Sequence, residues 1–493
     1  MPRADERREF VEEAPRRIPV RARADVVVAG GGPAGLMAAL AAARNGARVV
    51  LAERFGYLGG QLNIEHSSFT GTPTLGMGFQ GVSGKRIIGG LPWEFMQRIK
   101  ARGGSIGPIE RTVVSSLKGG FLDAPYQRFG PKVDPPVVKM VALEMVQEAG
   151  IHLLLHTWAV DAIKDGGIIK GVIIQSKSGR EAILAHAVVD ATADADIAAS
   201  AGVPWEMVPK NQLYRMYVEL ILGGVDTDRA RAFMKEHPER FSYVIFPTHD
   251  SQVPAGFQKP IWAVVDLGDR KDLALRKDRL ALTATGTRAE IMIGIRPGLS
   301  NVGTGCDGDP TDIEDLTQAE ITGRQKALLN VEWLRQHLPG FEHCFVLGES
   351  ALGTRESRRI MGDYTLTEDD LRQGRRFDDV IGLNNIPIDK HLSGGGWSFE
   401  LLSAPHDIPY RIMLPRGFEN LLVAGRSVSA DHVAQSSIRK TTTCMTMGQA
   451  AGTAAAMAVR AGVPPRKVTI TELQTKLSEQ GAILSQEQAP EYA

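Results

Sequence analysis

Disulfide architecture is excluded at the outset, because the 493-residue chain has only three cysteines, Cys306, Cys344 and Cys444. They stand far apart and none belongs to a CxxC pair. That also removes a zinc ribbon, an iron–sulfur cluster and a dithiol redox centre. An excess of charge of one sign is equally lacking, since Lys plus Arg and Asp plus Glu number 57 each. No overall field draws the chain to nucleic acid or anionic lipid, so a phosphate-bearing partner must be held by loops and helix ends. Every apolar run is broken by glycine or charge short of the length that spans a bilayer, and no membrane partner is expected. The first twenty residues are rich in Arg and Glu and have no apolar stretch. No secretory signal is read there, and a cytoplasmic protein is expected. Hydrophobic residues at 43% suit a globular protein, and the length predicts two or three domains.

What is present begins with glycine. In ADVVVAGGGPAGLMAALAAARNGARVVLAER, residues 24–54, a short β-branched run is followed by GxGxxG at Gly30, Gly32 and Gly35. Eleven helix formers then run to Gly46, and a second apolar run ends on Glu53. Each part has a task. Gly30 permits a tight turn, Gly32 lets a pyrophosphate approach the backbone, and Gly35 lets helix and strand pack closely. The helix N-terminus offers free N–H groups to the phosphates. A carboxylate at Glu53 accepts hydrogen bonds from ribose hydroxyls and repels a 2′-phosphate, which leaves NAD or the adenosine half of FAD. A second GxGxxG, Gly303 to Gly308, has no clean strand before it and Asp309-Pro310 after it, and is read as a surface loop.

The Gly59-Gly60 pair soon after Glu53 favours FAD, because backbone must pass close to the pyrophosphate and ring. Residues 136–149 read as an amphipathic helix, 151–155 as a strand, and the Gly-punctuated apolar runs up to Ala191-Thr192-Ala193 as a β-meander. Leu421 to Ala424 reads as a buried strand, followed by Gly425-Arg426 and a small-residue helix from about Thr446 to Arg460. Together the blocks GGGPAG, ERFGYLGG, VVDATADAD, RESRRIMGDYTLTEDDL, IPYRIMLPRG, NLLVAGRSVSADHVAQSSIR and MGQAAGTAAA resemble the two-dinucleotide-binding-domain flavoproteins of the glutathione-reductase-like superfamily, most closely the FAD-dependent oxidoreductases of the FAD_oxidored type.

That resemblance implies an α/β fold: a Rossmann-like doubly wound parallel sheet with a β-meander, plus an inserted α+β substrate or cap domain. The FAD-binding domain is expected in the pieces 18–115, 135–205 and 345–470, the cap in 206–344, and tails at 1–17 and 480–493. The resemblance also implies an FAD-dependent oxidoreductase with non-covalent FAD. Its contacts are expected from Gly30, Gly32, Pro33, Ala34 and Gly35; Glu53, Arg54, Gly59, Gly60 and Gln61; Ala159, Val160, Ala191 and Thr192; and Gly425, Arg426, Gly448, Gln449 and Gly452. Two departures stand out: Ala193 where relatives end the strand Ala-Thr-Gly, and Arg426 where many carry the Asp that holds ribitol. A redox CxxxxC is absent, as are Gly-Asp-Ala-Ala-His and a complete second nucleotide-binding unit.

Flavin chemistry of this kind moves hydride between N5 and a substrate carbon, so the chain must supply an anchor and a proton acceptor or donor. His432 is the first candidate for the proton. Arg439 and Lys440 follow it as anion ligands, and Arg411 is expected on a strand, paired internally or with an anion. Arg355, Arg358 and Arg359 beside Glu349 and Glu356 read as a domain-joining salt-bridge network, with Arg355 alternatively a substrate clamp. His391 and His66 complete the candidates; no metal site is read. A small, anionic, hydroxylated organic substrate is expected. The alternative is a subunit that passes electrons to a protein partner. The electron acceptor and subunit count stay open, a homo-oligomer among the partners allowed.

Overall fold

The strand β1 (Val20–Ala29) is the centre of the architecture, and its sequence explains why. Val26, Val27, Val28 and Ala29 are fully buried, so both faces of the strand are covered, as parallel strands require. Burying each valine contributes roughly 1.5–3 kcal/mol. In this computed structural model the described residues are 11–64, 85–106, 109–115, 127–129, 132–237, 241–247, 261–266, 290–296, 298–391, 393, 397–400 and 402–490.

After β1 the chain enters α1 (Pro33–Arg44), returns in β2 (Val49–Ala52), and later adds α2 (Pro135–Glu148) and β3 (His152–Leu154). A meander follows, with β4 (Trp158–Asp165), β5 (Ile168–Ser176) and the long β6 (Gly179–Asp190). The short helix α3 (Asp196–Ala201) leaves its end. Near the C-terminus come β7 (Leu421–Val423), α5 (His432–Ile438) and α6 (Thr441–Ala461). The sheet order is β3-β2-β1-β6-β5-β4, and β7 pairs with β6. β1 pairs in parallel with β2 and β6, β2 with β3, and β6 with β7, whereas β6-β5 and β5-β4 are antiparallel. β6 therefore serves two structures along one edge: residues 179–184 pair with the meander, residues 188–190 with β7.

Alternation sorts the core. Val26 and Val28 face a cluster built with α1, α2 and α6, while Val27 and Ala29 face the meander and α3. The two faces of one sheet thus carry two cores.

Most of the segment expected as a cap belongs to an eight-stranded antiparallel sheet backed by the helix α4 (Ile313–His337). Met216–Val225 and Ile261–Asp266 are among its strands. The sheet also takes Ile109–Ser115 and Phe345–Glu349, expected within the FAD-binding pieces, and Gln127–Phe129, which was assigned to neither domain. The second GxGxxG is no loop: Gly303, Gly305 and Cys306 lie in the strand Gly298–Cys306, paired on both sides. The residues expected as a C-terminal tail are packed as well. Ile483, Leu484 and Ala489 are buried, and the Pro490 carbonyl accepts the Arg86 N–H at 2.8 Å.

Among the described residues no helix is long and apolar enough to cross a membrane, and no group of three His, Cys, Asp or Glu side chains is placed to hold a metal ion.

Candidate active site

A cavity opens at the C-terminal ends of β1, β2 and β6, where ligands of doubly wound sheets bind. The GxGxxG turn forms one wall, and its glycines do three different things. Gly30 has φ +96°, and a Cβ there would meet the Ala191 carbonyl at 2.4 Å. A Cβ on Gly35 would meet the Gly30 carbonyl at 1.8 Å. A Cβ on Gly32 would meet nothing within 4 Å, because it would project into open space. Gly32 caps α1, and Pro33 starts the helix with its φ already set.

Glu53, at the end of β2, is 5% exposed and lines the same cavity. It accepts hydrogen bonds from the Gly31 N–H at 2.6 Å and the Phe55 N–H at 2.7 Å. Burial raises its pKa, and those amides pull it back. The Gly59 N–H donates to the Gly31 carbonyl at 2.9 Å, which ties the second glycine pair to the first loop. Arg54 stands 4.9 Å from the Phe55 ring centroid and 5.5 Å from that of Trp158.

The third wall comes from the β6 end and the Gly425-Arg426 turn. Ala193 has φ +74°, in the left-handed region that favours glycine. Arg426 pairs with Asp194 at 2.5 Å, yet its buried Nε–H has no hydrogen-bond partner among the described residues. Asp196 also lines the cavity, and burial first, then Asp194 and Asp190, push its pKa up to about 6.

A family model described as FAD dependent oxidoreductase matches residues 25–477. The chain belongs to that family, and its cofactor is FAD. Over 61 residues the oxidoreductase is 48% identical to an NADH oxidase from Thermoanaerobacter brockii, a stretch that makes up 12% of this chain and 9% of that protein. It thus spans about a tenth of the length of that curated relative. Among solved structures, a geranylgeranyl bacteriochlorophyll reductase-like protein from Thermoplasma acidophilum aligns at 14% identity over 94% of this chain and 84% of that one, with a TM-score of 0.43. The flavin-dependent brominase Bmp2 aligns at 14% over 93% and 84%, with a TM-score of 0.44. The cavity suits the cofactor on its own geometry: open space beside Gly32, a buried carboxylate at Glu53, and the orphan Arg426 donor.

Of the residues expected around FAD, Gly30, Gly32, Pro33, Glu53, Arg54, Gly60, Gln61, Ala159, Ala191, Thr192 and Arg426 line the cavity. Ala34, Gly35, Gly59 and Gly425 stand behind that wall and shape it; Gly425 has φ +110° and sits against Ala34. Val160 is 37% exposed and does not line the cavity. Gly448 and Gly452 serve another purpose. A Cβ on either would meet the carbonyl of Ala34 or Ala38 at 2.0 Å, so they let α6 lie directly on α1. Gln449 accepts the Leu91 N–H at 3.0 Å. The helix starts at Thr441, five residues before the expected Thr446, which puts all three well inside it. Ala52, Phe55, Thr157, Trp158, Asp196, Leu352 and Thr354 line the cavity without having been singled out, although the first four lie close in the chain to residues that were; Ala193, singled out as a departure, lines it too.

None of the described candidates for chemistry lines the cavity itself; Arg355 comes nearest in the chain, next to Thr354 on its wall. Tyr217, on a cap strand, meets the Gln61 side chain through its hydroxyl. The Arg355 guanidinium stacks over the Tyr217 ring at 4.3 Å and donates to the Arg215 carbonyl at 2.5 Å. Thr354, one residue earlier, is on the cavity wall. His432 is the first residue of α5 rather than part of a loop; Asp431 caps the helix by accepting the Ala434 N–H at 2.7 Å. His432 Nδ1 lies 2.7 Å from Glu356 Oε1, and its ring stacks on Tyr214 at 4.3 Å.

Arg439 and Lys440 converge on Asp389, a buried carboxylate that they and His391 hold well below the usual carboxylate range against the cost of burial. His391 Nε2 lies 3.1 Å from Asp389. Burial, with Arg355 nearby, lowers His391 to about 3, so its imidazole is neutral at pH 7. Arg411 is a correction: it sits in a 3₁₀ turn, Tyr410–Met413, instead of a strand, and pairs with Asp379 at 2.9 Å and Asp378 at 3.2 Å. The arginine network pairs Arg359 with Glu356 as expected but differs in its other partners. Arg358 pairs with Asp196, Arg359 with Glu356 and Glu206, and Glu349 with Arg324. His66 and Gly394 to Gly396 lie outside the described residues.

Proposed function

We propose that this oxidoreductase moves hydride between the flavin and a carbon of a small, hydroxylated, anionic substrate, which binds where the cap meets the nucleotide-binding fold. FAD, when bound, supplies the two-electron chemistry. The Gly30–Gly32 turn and the α1 N-terminus hold its pyrophosphate, Glu53 its ribose, and Arg426, Gly60 and Gln61 the part nearer the ring.

The observation that carries the substrate reading is Arg355. Its guanidinium is packed on Tyr217, the residue that reaches Gln61 on the cavity wall. A planar cation held in place this way is pre-organised to take a carboxylate in a fork of parallel hydrogen bonds. Arg439 and Lys440 add less field, because Asp389 already matches them. The proton of the substrate hydroxyl goes to His432. His391, neutral at pH 7, serves as a hydrogen-bonding group in the same region.

Anaerobic mixing with panels of hydroxy acids, sugars and cyclic alcohols tests the reading through bleaching of the flavin absorbance. Hydroxy acids are expected to bleach it, and Arg355→Met is expected to raise their KM by ten-fold or more. His432→Ala is expected to retain FAD and slow reduction by about 10²-fold or more. Normal reduction in that variant removes His432 from the reaction, and better reduction by neutral alcohols than by acids removes the anionic substrate.

A further inference from the structure

We infer that Glu356 is the positioning residue of the reaction: it holds His432 as the Nδ1–H tautomer and so leaves Nε2 as the bare atom that receives the substrate proton. This rests on the proposed role of His432 and adds to it the tautomer, the atom and the group that sets both.

The geometry around Glu356 is complete. The residue is fully buried, and each carboxylate oxygen has assigned donors. Oε2 accepts the Tyr214 N–H at 3.1 Å. Oε1 accepts from Arg359 Nη1 at 2.5 Å and faces His432 Nδ1 at 2.7 Å. A carboxylate has no proton to give, so the short contact to Nδ1 requires the imidazole to donate there. Neutral imidazole carries one N–H, and with that proton on Nδ1 the lone pair is on Nε2. Among the described residues nothing hydrogen-bonds to Nε2.

Three further contacts keep the ring still. The Tyr214 ring lies 19° from coplanar with it at 4.3 Å, and the Tyr214 hydroxyl donates to the His432 carbonyl at 3.0 Å. Asp431 fixes the backbone at the start of α5. Glu356 is itself two residues from Thr354 on the cavity wall, and the intervening Arg355 gives its carbonyl to Gln435 of α5 at 3.1 Å. One short segment, 354–356, therefore supplies cavity wall, anion anchor and imidazole orienter in turn.

The contrast with the second imidazole–carboxylate pair assigns the labour. Asp389 has Arg439 and Lys440 as well as His391, so its charge is matched without a proton on the imidazole. Glu356 has one guanidinium, from Arg359, and one amide. A positive charge arriving on His432 thus meets a partner able to stabilise it, as in the carboxylate–imidazole pairs of acyl-transfer enzymes. The step balances: the hydroxyl O–H proton passes to Nε2, the C–H hydride leaves with two electrons to FAD, and the substrate carbon becomes a carbonyl.

The test uses the FAD-loaded full chain with 15N-labelled histidine. In the wild type the neutral His432 is expected to give an Nδ1–H, Nε2-bare signature by NMR. Glu356→Gln keeps the shape but must turn an NH2 group toward Tyr214 N–H or toward Arg359 and His432, so the Nδ1–H signature is expected to be lost. Flavin reduction is expected to slow by about 10–10²-fold in kcat with little change in KM, since Arg355 is untouched. An Nε2–H tautomer in the wild type overturns the inference. So does a Glu356→Gln variant that keeps FAD, tautomer and rate. The readouts separate the two claims: if His432→Ala reduces at the normal rate, the proton role of His432 is lost, whatever its tautomer. If His432→Ala is slow while Glu356→Gln is normal, only the role of Glu356 falls.

Discussion

Ala193 shows how a residue with a side chain can be held where glycine is favoured. Its main chain takes φ +74°. A Cβ in the left-handed region costs roughly 1–2 kcal/mol. Strain of this kind gathers at ligand-binding turns. Ala193→Gly is therefore expected to stabilise the protein by about 1 kcal/mol, read as a higher urea midpoint at unchanged m-value. Asp196, on the same wall, makes a pH prediction. Its folded-state pKa, near 6, lies above the unfolded value, so the folded form holds the extra proton in between. Stability from this residue is full below about pH 4 and is lost as pH rises through 6. The midpoint of Asp196→Asn relative to wild type is expected to be higher at pH 7.5 than at pH 4.5, with Arg358 left unpaired in both conditions. The departure at Ala193 was legible in the sequence, whereas the raised Asp196 was not. Its shift arises from burial first, then from Asp194 and Asp190 folding around it, and the run VVDATADAD shows three acids without showing which one is buried against which.

At the scale of elements, strands and helices with an unmixed apolar pattern were legible: β1, α1, β2 and the meander lie where periodicity put them. The failures share one cause, which is that glycine in a small-residue stretch has more than one use. Gly448 and Gly452 look the same in sequence whether they make room for a ligand or for another helix, and here they admit α1. Gly305 follows the same logic: a Cβ there would meet the Arg215 guanidinium at 2.8 Å, so a motif that resembled a phosphate turn is a strand that lets an arginine lie across it. Gly452→Leu is expected to force α1 and α6 apart, lowering stability by roughly 1–3 kcal/mol or more and releasing FAD with it, measured by thermal denaturation and by cofactor content after gel filtration.

For the whole molecule, cofactor and fold are one thermodynamic system. A ligand that binds only the native state adds RT ln(1 + [L]/Kd), about 2.7 kcal/mol at one hundred times Kd. Glu53→Ala removes a charged acceptor worth roughly 1.5–3 kcal/mol, or about 10- to 150-fold in FAD affinity. At one fixed FAD concentration, added cofactor is expected to raise the melting temperature of the wild type more than that of the variant, and equal increments would leave Glu53 without a role in binding. Domain order was only partly legible at this scale. The cap recruits Ile109–Ser115 and Gln127–Phe129 across roughly a hundred residues of intervening chain, and pairing over such distances leaves no local pattern to read.

The double use of β6 has a consequence for how the protein is made. The half of its edge at residues 188–190 waits for β7, which is encoded roughly 230 residues later. At 5–20 residues per second the ribosome needs on the order of 10–50 s to supply it. Through that interval the nascent chain has β1, β2 and the meander in hand, while the buried edge at Val188–Asp190 stands open. The cap is synthesised in the gap, so it folds beside an unfinished sheet, and the cavity wall at Arg426 arrives only with the strand that closes that sheet. The complete cavity wall is consequently a late arrival, roughly 230 residues behind the β6 edge that frames it.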